Sequence, residues 1–143
     1  YSKARTSAKK PRDLEGADRL VARTLEIISY FQPRYFFVEN PQTGLLRTRE
    51  VIAPLAPYEK VVSYCMYGAP YRKNTSIWTD APLEALRCRQ GGTTCGYELR
   101  HASTAQTRLD GNPAKYPNDR VFTRRELHRL PRALCEAVLR ACG

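Results

Sequence analysis

No run of about 20 apolar residues occurs in this chain, and no secretory signal opens it. Nothing in the sequence therefore directs it into or across a membrane, and the expected location is intracellular, nuclear or cytoplasmic. Cysteine is too sparse for a disulfide scaffold: five residues, an odd number without a tight repeat, argue against a secreted cross-linked domain. Internal repeats are lacking too. Acidic residues are scarce relative to basic ones, 14 against 24, which leaves a formal net charge of +10 over 143 residues. An excess of that size fits a polyanionic partner, with nucleic acid ahead of membrane; a well-solvated basic surface is the alternative. The length is one domain's worth, enough to bury a core. The chain opens at Tyr1 without an initiator methionine, as a trimmed chain or part of something longer would.

Local patterns divide the chain into four stretches within one expected domain. Residues 1–12, YSKARTSAKKPR, lack hydrophobic periodicity and read as a basic arm or loop carrying Lys3, Arg5, Lys9 and Lys10. Residues 13–79 carry an α/β rhythm of helix, strand, helix, strand. Asp13 is a helix N-cap, and Leu14, Ala17, Leu20, Val21, Leu25, Ile28 and Phe31 recur at spacings of three and four. That pattern predicts an amphipathic helix over 14–31 with one buried stripe, stopped by Gln32-Pro33. Residues 35–38 then predict a central strand buried on both faces. GLLRTREVI predicts a short helix or turn ending before Pro54, and 60–64 and 76–79 predict two further strands. Residues 80–118 lose periodicity and form a long irregular insert. In 119–143, Thr123 to Glu126 is a capping box. Pro131 opens a second helix with Leu134, Val138 and Leu139 facing inward and Cys135 and Cys142 as small core residues.

One detail in the α/β stretch asks for a chemical reason. The apolar run YFFV leads straight into Glu39-Asn40-Pro41, and a buried strand gains nothing from a carboxylate at its end. A strand-end glutamate that merely starts a loop would leave the same trace. Further on, YCMYGAPYRKNTSIWT (64–79) combines a glycine-proline turn, a cationic pair and a strand. VENP (38–41) resembles the Glu-Asn motif of the DNA cytosine-5 methyltransferases, and 64–79 resembles their later strand–Tyr-Gly–basic-cluster motif. ENP in place of ENV, and RKNT in place of alternating arginines, are similar to the phage- and virus-type branch. The order and spacing of the motifs extend the likeness over most of the chain.

The resemblance implies a partial Rossmann-like, methyltransferase-type sheet with flanking helices, and it implies DNA as partner. In such enzymes a thiolate adds to C6 of an extruded cytosine, so that C5 takes a methyl group from S-adenosylmethionine. It implies that Glu39 is the acid facing N3 and the exocyclic amine of that cytosine, where proton sharing stabilises charge developing on the ring. Asn40 and Pro41 would fix the turn that aims it. Arg72 and Lys73 would face the base carbonyl or neighbouring phosphates, unless they form only a solvated basic turn. Thr75 stands where the larger family has its second alternating arginine, so only the first cation carries over, and Thr75 joins the substrate-binding group.

Other parts of such an enzyme have no counterpart in the sequence. A glycine-rich strand–turn–helix for the cofactor is missing, and by the resemblance the Pro-Cys nucleophile would fall just before Tyr1. The chain is thus expected to be the cytosine-recognition half of a methyltransferase, inactive and without cofactor by itself. Its partner would be the missing N-terminal half, or a second copy in a homo-oligomer. The other reading is a non-catalytic nucleic-acid-binding or oligomeric module descended from that fold, with the basic arm and the insert on DNA. Finally, Cys65, Cys88, Cys95 and His101 are a candidate four-ligand zinc site that would staple the insert. The spacing is loose, and unpaired thiols are the competing expectation.

Overall fold

The structure, a computed structural model, describes residues 13–88 and 123–143. They divide into two compact units, the first built from 13–61 and 75–82, the second from 62–74, 83–88 and 123–143.

The first unit opens with α1, Leu14–Phe31. Asp13 caps it as the sequence predicts, its carboxylate accepting the Gly16 N–H at 2.7 Å, and Glu15 sits in the first turn where the dipole favours an anion. Gln32 ends it in the left-handed region at φ 43°. The predicted single buried stripe needs correction. Val21 and Leu25 pack partly buried against the core, while Leu20 and Phe31 are 73% and 71% exposed. The spacing is helical, but it spreads apolar residues over more of the helix than its neighbours cover.

Strand β1 is Val38–Pro41, three residues later than the predicted run. It is an edge strand rather than a central one: the sheet order among the described residues is β1-β3-β2, with β2 at Glu59–Ser63 and β3 at Asn74–Trp78. The apolar side chains of 35–38 are only half-buried. Proline at an edge is tolerated because its missing N–H removes no central ladder bond. β1 runs antiparallel to β3, with Val38 opposite Trp78, Glu39 opposite Ile77, Asn40 opposite Ser76 and Pro41 opposite Thr75. The structure is thus α/β, helices with a three-stranded sheet.

Between β1 and β2 the predicted short helix appears as two 3-10 segments, Leu46–Thr48 and Glu50–Tyr58. The second runs through Pro54 and Pro57 rather than stopping before Pro54. Prolines three apart fit a three-residue turn, which sheds the i−4 bond that a proline would break in an α-helix. Leu46, Ile52 and Leu55 from these segments bury against Trp78, which is 1% exposed, and Val38 packs on the same cluster. Arg49 clips the segment to α1: its Nη2 lies 2.5 Å from Asp18 Oδ2, and its Nε 3.2 Å from both carboxylate oxygens.

In the second unit, Tyr64–Tyr67 forms a 3-10 turn ended by Gly68 at φ 82°, a conformation that costs a side-chain-bearing residue dearly. Helix α2 is Arg124–His128, with the predicted capping box: Thr123 Oγ1 accepts the Glu126 N–H at 3.2 Å, and Glu126 Oε2 accepts the Thr123 N–H at 2.8 Å. Helix α3 is Arg132–Ala141, and Pro131 is its N-cap, one place earlier than expected. Leu134 is buried and α3 packs on the Tyr64–Tyr67 turn. Leu139 and Cys135 are exposed, correcting the expectation that both face inward, and Cys142 is half-buried. A ten-residue helix covered along one line keeps residue 134 inside and turns its neighbours 135 and 139 outward.

Candidate functional site

Side chains alternate across a strand, so the register of β1 and β3 sorts the candidate residues by face. Glu39, Pro41, Thr75 and Ile77 share one face; Val38, Asn40, Ser76 and Trp78 share the other. The second face is committed to packing through Val38 and Trp78. On the first face Thr75 is the diagonal neighbour of Glu39, within reach of a long side chain. The Thr75 hydroxyl, on a residue with no exposed surface, donates to Glu39 Oε1 and also lies 3.0 Å from the Asn40 carbonyl oxygen. Glu39 itself is exposed. A buried hydroxyl thus holds an outward-facing carboxylate.

The backbone around Glu39 is tied on both sides. Ahead of it, the Phe36 N–H donates to Asp80 Oδ1 at 3.1 Å, joining the approach to β1 to the exit of β3. Behind it, the Gly44 N–H donates to the Pro41 carbonyl at 2.7 Å and closes a tight turn. Three of the sequence-predicted residues, Glu39, Asn40 and Pro41, therefore meet Thr75 on one pair of strands. Glu39 sits within the strand rather than past its end, and Pro41, not Asn40, starts the turn.

Arg72 and Lys73 belong to the second unit. Arg72 is half-buried there. Lys73 Nζ donates to the Leu127 carbonyl at 3.0 Å and lies 4.6 Å from the centre of the Tyr64 ring. The same unit holds an open cleft of about 550 Å³, lined by Tyr67, Pro70, Tyr71, Arg129, Leu130 and Arg132 among others; neither Arg72 nor Lys73 lines it. Two phenols border this cleft. Burial raises the ionisation of Tyr67 above the usual 10.0; the Leu86 N–H on its oxygen opposes that, and the Glu84 charge adds to it. Tyr71 is raised by burial and then by the charge of Glu126.

Sequence reasoning passed over some polar residues. Glu59 Oε1 accepts the Ser76 hydroxyl at 2.5 Å and lies 3.8 Å from Arg47 Nε. The Asp18–Arg49 pair is also absent from the motif-based picture, since a contact over 31 positions leaves no periodic trace.

The zinc expectation is only partly within view. Cys65 and Cys88 are buried cysteines of the second unit, whereas Cys95 and His101 lie outside the described residues. Among the described residues no three His, Cys, Asp or Glu gather into a metal-binding group. Lys3, Arg5, Lys9 and Lys10 likewise fall outside them, as does the insert from residue 89 onward. No described helix is long and apolar enough to cross a membrane.

No family model matches the chain, and no solved structure matches it. A relative does. Over 125 residues the chain is 36% identical to a probable DNA (cytosine-5)-methyltransferase of Frog virus 3 (isolate Goorha). The match takes in 86% of this chain and 56% of the viral protein, so the chain spans about half the length of that relative. The resemblance carried by VENP and YCMYGAPYRKNTSIWT is therefore borne out over most of the sequence: this chain is similar to part of a viral DNA cytosine-5 methyltransferase.

Proposed function

We propose that the chain is the cytosine-reading portion of a DNA cytosine-5 methyltransferase, and that by itself it transfers no methyl group. The observation that carries this reading is the Glu39 carboxylate, exposed yet held by the buried Thr75 hydroxyl on paired strands, in a chain 36% identical to a protein of that name. A carboxyl group so mounted suits the Watson–Crick edge of an extruded cytosine. It accepts from the exocyclic amine and shares a proton with N3, where negative charge develops when the ring is attacked. Rigid strands are the right mounting, because such a contact tolerates only a fraction of an ångström of play.

Arg72, in the second unit, supplies positive charge toward nucleic acid. Asn40 and Pro41 shape the backbone under Glu39, and the net charge of +10 supports a phosphate-dominated approach to DNA. S-adenosylmethionine is the methyl source of the complete enzyme, held by residues outside this chain, since the sequence offers no glycine-rich strand–turn–helix. The sheet corresponds to part of a Rossmann-like methyltransferase sheet. Among the described residues β1 lies at the edge of the sheet, where a strand from the remaining portion of a longer or split protein would add.

The test is base preference in the chain as it stands. Duplexes carrying cytosine or thymine opposite an abasic site, where extrusion is easiest, are titrated with wild type and with Glu39→Gln. Wild type should favour cytosine by roughly 10- to 100-fold, the worth of one good base contact. Glu39→Gln should lose that preference while keeping most of its affinity. Equal affinity for both bases in wild type would sink the reading. Labelled methyl transfer by the chain alone should stay at background.

A further inference from the structure

Thr75 has a single hydroxyl proton and two lone pairs, yet two acceptors lie within its reach, Glu39 Oε1 and the Asn40 carbonyl at 3.0 Å. It cannot donate fully to both at once. We infer that Thr75 is the positioning residue for Glu39, and that its hydroxyl anchors the carboxyl group in either protonation state. With Glu39 ionised, the Thr75 O–H donates to Oε1. With Glu39 protonated on Oε1, the acid O–H donates to a lone pair of Thr75 Oγ1, and the threonine proton turns to the Asn40 carbonyl. Only the hydroxyl hydrogen rotates; no heavy atom moves, and the threonine proton stays on its own oxygen throughout. The proton that Glu39 gains or gives is exchanged with its ligand or with solvent.

The residue type suits this task and few others do. Lysine or arginine can only donate, and could not accept the acid O–H once Glu39 is protonated on the oxygen facing it. Valine fills the same volume and offers neither role. Threonine at a wholly buried strand position is also stiff about χ1, so the oxygen is presented in one place. Its diagonal placement is fixed by the register, with Thr75 opposite Pro41 and Glu39 opposite Ile77. An acid that must keep its aim while a proton comes and goes needs such a partner. The inference rests on the base-reading role proposed for Glu39, and it names the residue that keeps that group in register.

The test has a ligand-free arm and a binding arm. In the first, three-bond couplings of the Glu39 side chain are measured by NMR on both sides of its titration, which the carboxyl carbon shift follows. Wild type and Thr75→Ser should each show one fixed rotamer at both ends, and Thr75→Val should show averaged couplings, with an unchanged Trp78 indole signal reporting an intact sheet. Averaged couplings in wild type at either end, or fixed couplings in a folded Thr75→Val, would overturn the inference. Should Thr75→Val not fold, the wild-type couplings at the two ends decide alone. In the binding arm, Thr75→Val should lose the cytosine preference as Glu39→Gln does, and Thr75→Ser should retain it. Fixed wild-type rotamers with no cytosine preference would remove the base-reading role and leave the anchor. A preference lost in Glu39→Gln yet intact in Thr75→Val would do the reverse.

Discussion

The ammonium group of Lys73 lies 4.6 Å from the centre of the Tyr64 ring, and both residues belong to the same compact unit. Tyr64 is fully buried, so the cation sits over an aromatic face that water does not reach. Lys73 also donates to the Leu127 carbonyl at 3.0 Å, and so joins the basic turn to helix α2. The family resemblance assigns Lys73 to the substrate, but the structure gives it an internal task as well. Lys73→Met should therefore lower stability by about 1.5–3 kcal/mol, the range for a charged hydrogen bond, as read from urea unfolding. If Lys73 served DNA alone, stability would stay put and only the affinity for duplex would fall.

Asp18 and Arg49 make a second testable clip. The side chains are 25% and 34% exposed, and the guanidinium meets the carboxylate through two nitrogens. Paired, partly buried charges of this geometry are worth more than surface pairs. Either Asp18→Asn or Arg49→Met should cost about 1–3 kcal/mol. The double variant should cost less than the sum, and a double-mutant cycle measures the difference. Additive losses would show that the pair carries no coupling.

Tyr67 and Tyr71 give the chain an alkaline limit. Burial holds both phenols neutral beyond the usual 10.0. Below pH 10 both folded and unfolded chains carry the protons, and this contribution to stability is whole. Above it the unfolded chain ionises first, so stability falls as pH rises toward the folded-state ionisation. Absorbance at 295 nm should show a tyrosine fraction that ionises late and together with unfolding. Tyr67→Phe also removes the oxygen that donates to the Glu84 carbonyl and accepts the Leu86 N–H, both at 3.1 Å. It should cost about 1–2 kcal/mol at neutral pH and flatten part of the alkaline decline.

Phosphate-dominated binding has its own signature. With a net charge of +10, affinity for duplex DNA should fall steeply with salt, by a slope of about 0.9 per phosphate contacted. Removing residues 1–12, which carry Lys3, Arg5, Lys9, Lys10 and Arg12, should make that slope shallower. An unchanged slope would take the arm off the DNA.

Some of this protein was legible before any coordinates. The bounds of α1, its Asp13 cap, the Gln32 stop and the Thr123–Glu126 capping box all follow from sequence. Each depends on groups within about four positions of one another, so the local chain carries all the information. Gly68 at the left-handed turn belongs with them. Motif order likewise pointed to the methyltransferase resemblance.

What tertiary structure alone decided is which surface each element covers and which partner each side chain meets. The helical spacing of Leu20 and Phe31 could not say that neighbours would leave them exposed, nor that Leu139 would face outward. The edge position of β1 and its start at Val38 came from pairing with β3. Thr75 reached Glu39 because the antiparallel register made them diagonal neighbours 36 positions apart. A one-residue slip would have put them on opposite faces. Short-range hydrogen bonding and sterics are written residue by residue, whereas register and burial belong to the folded whole.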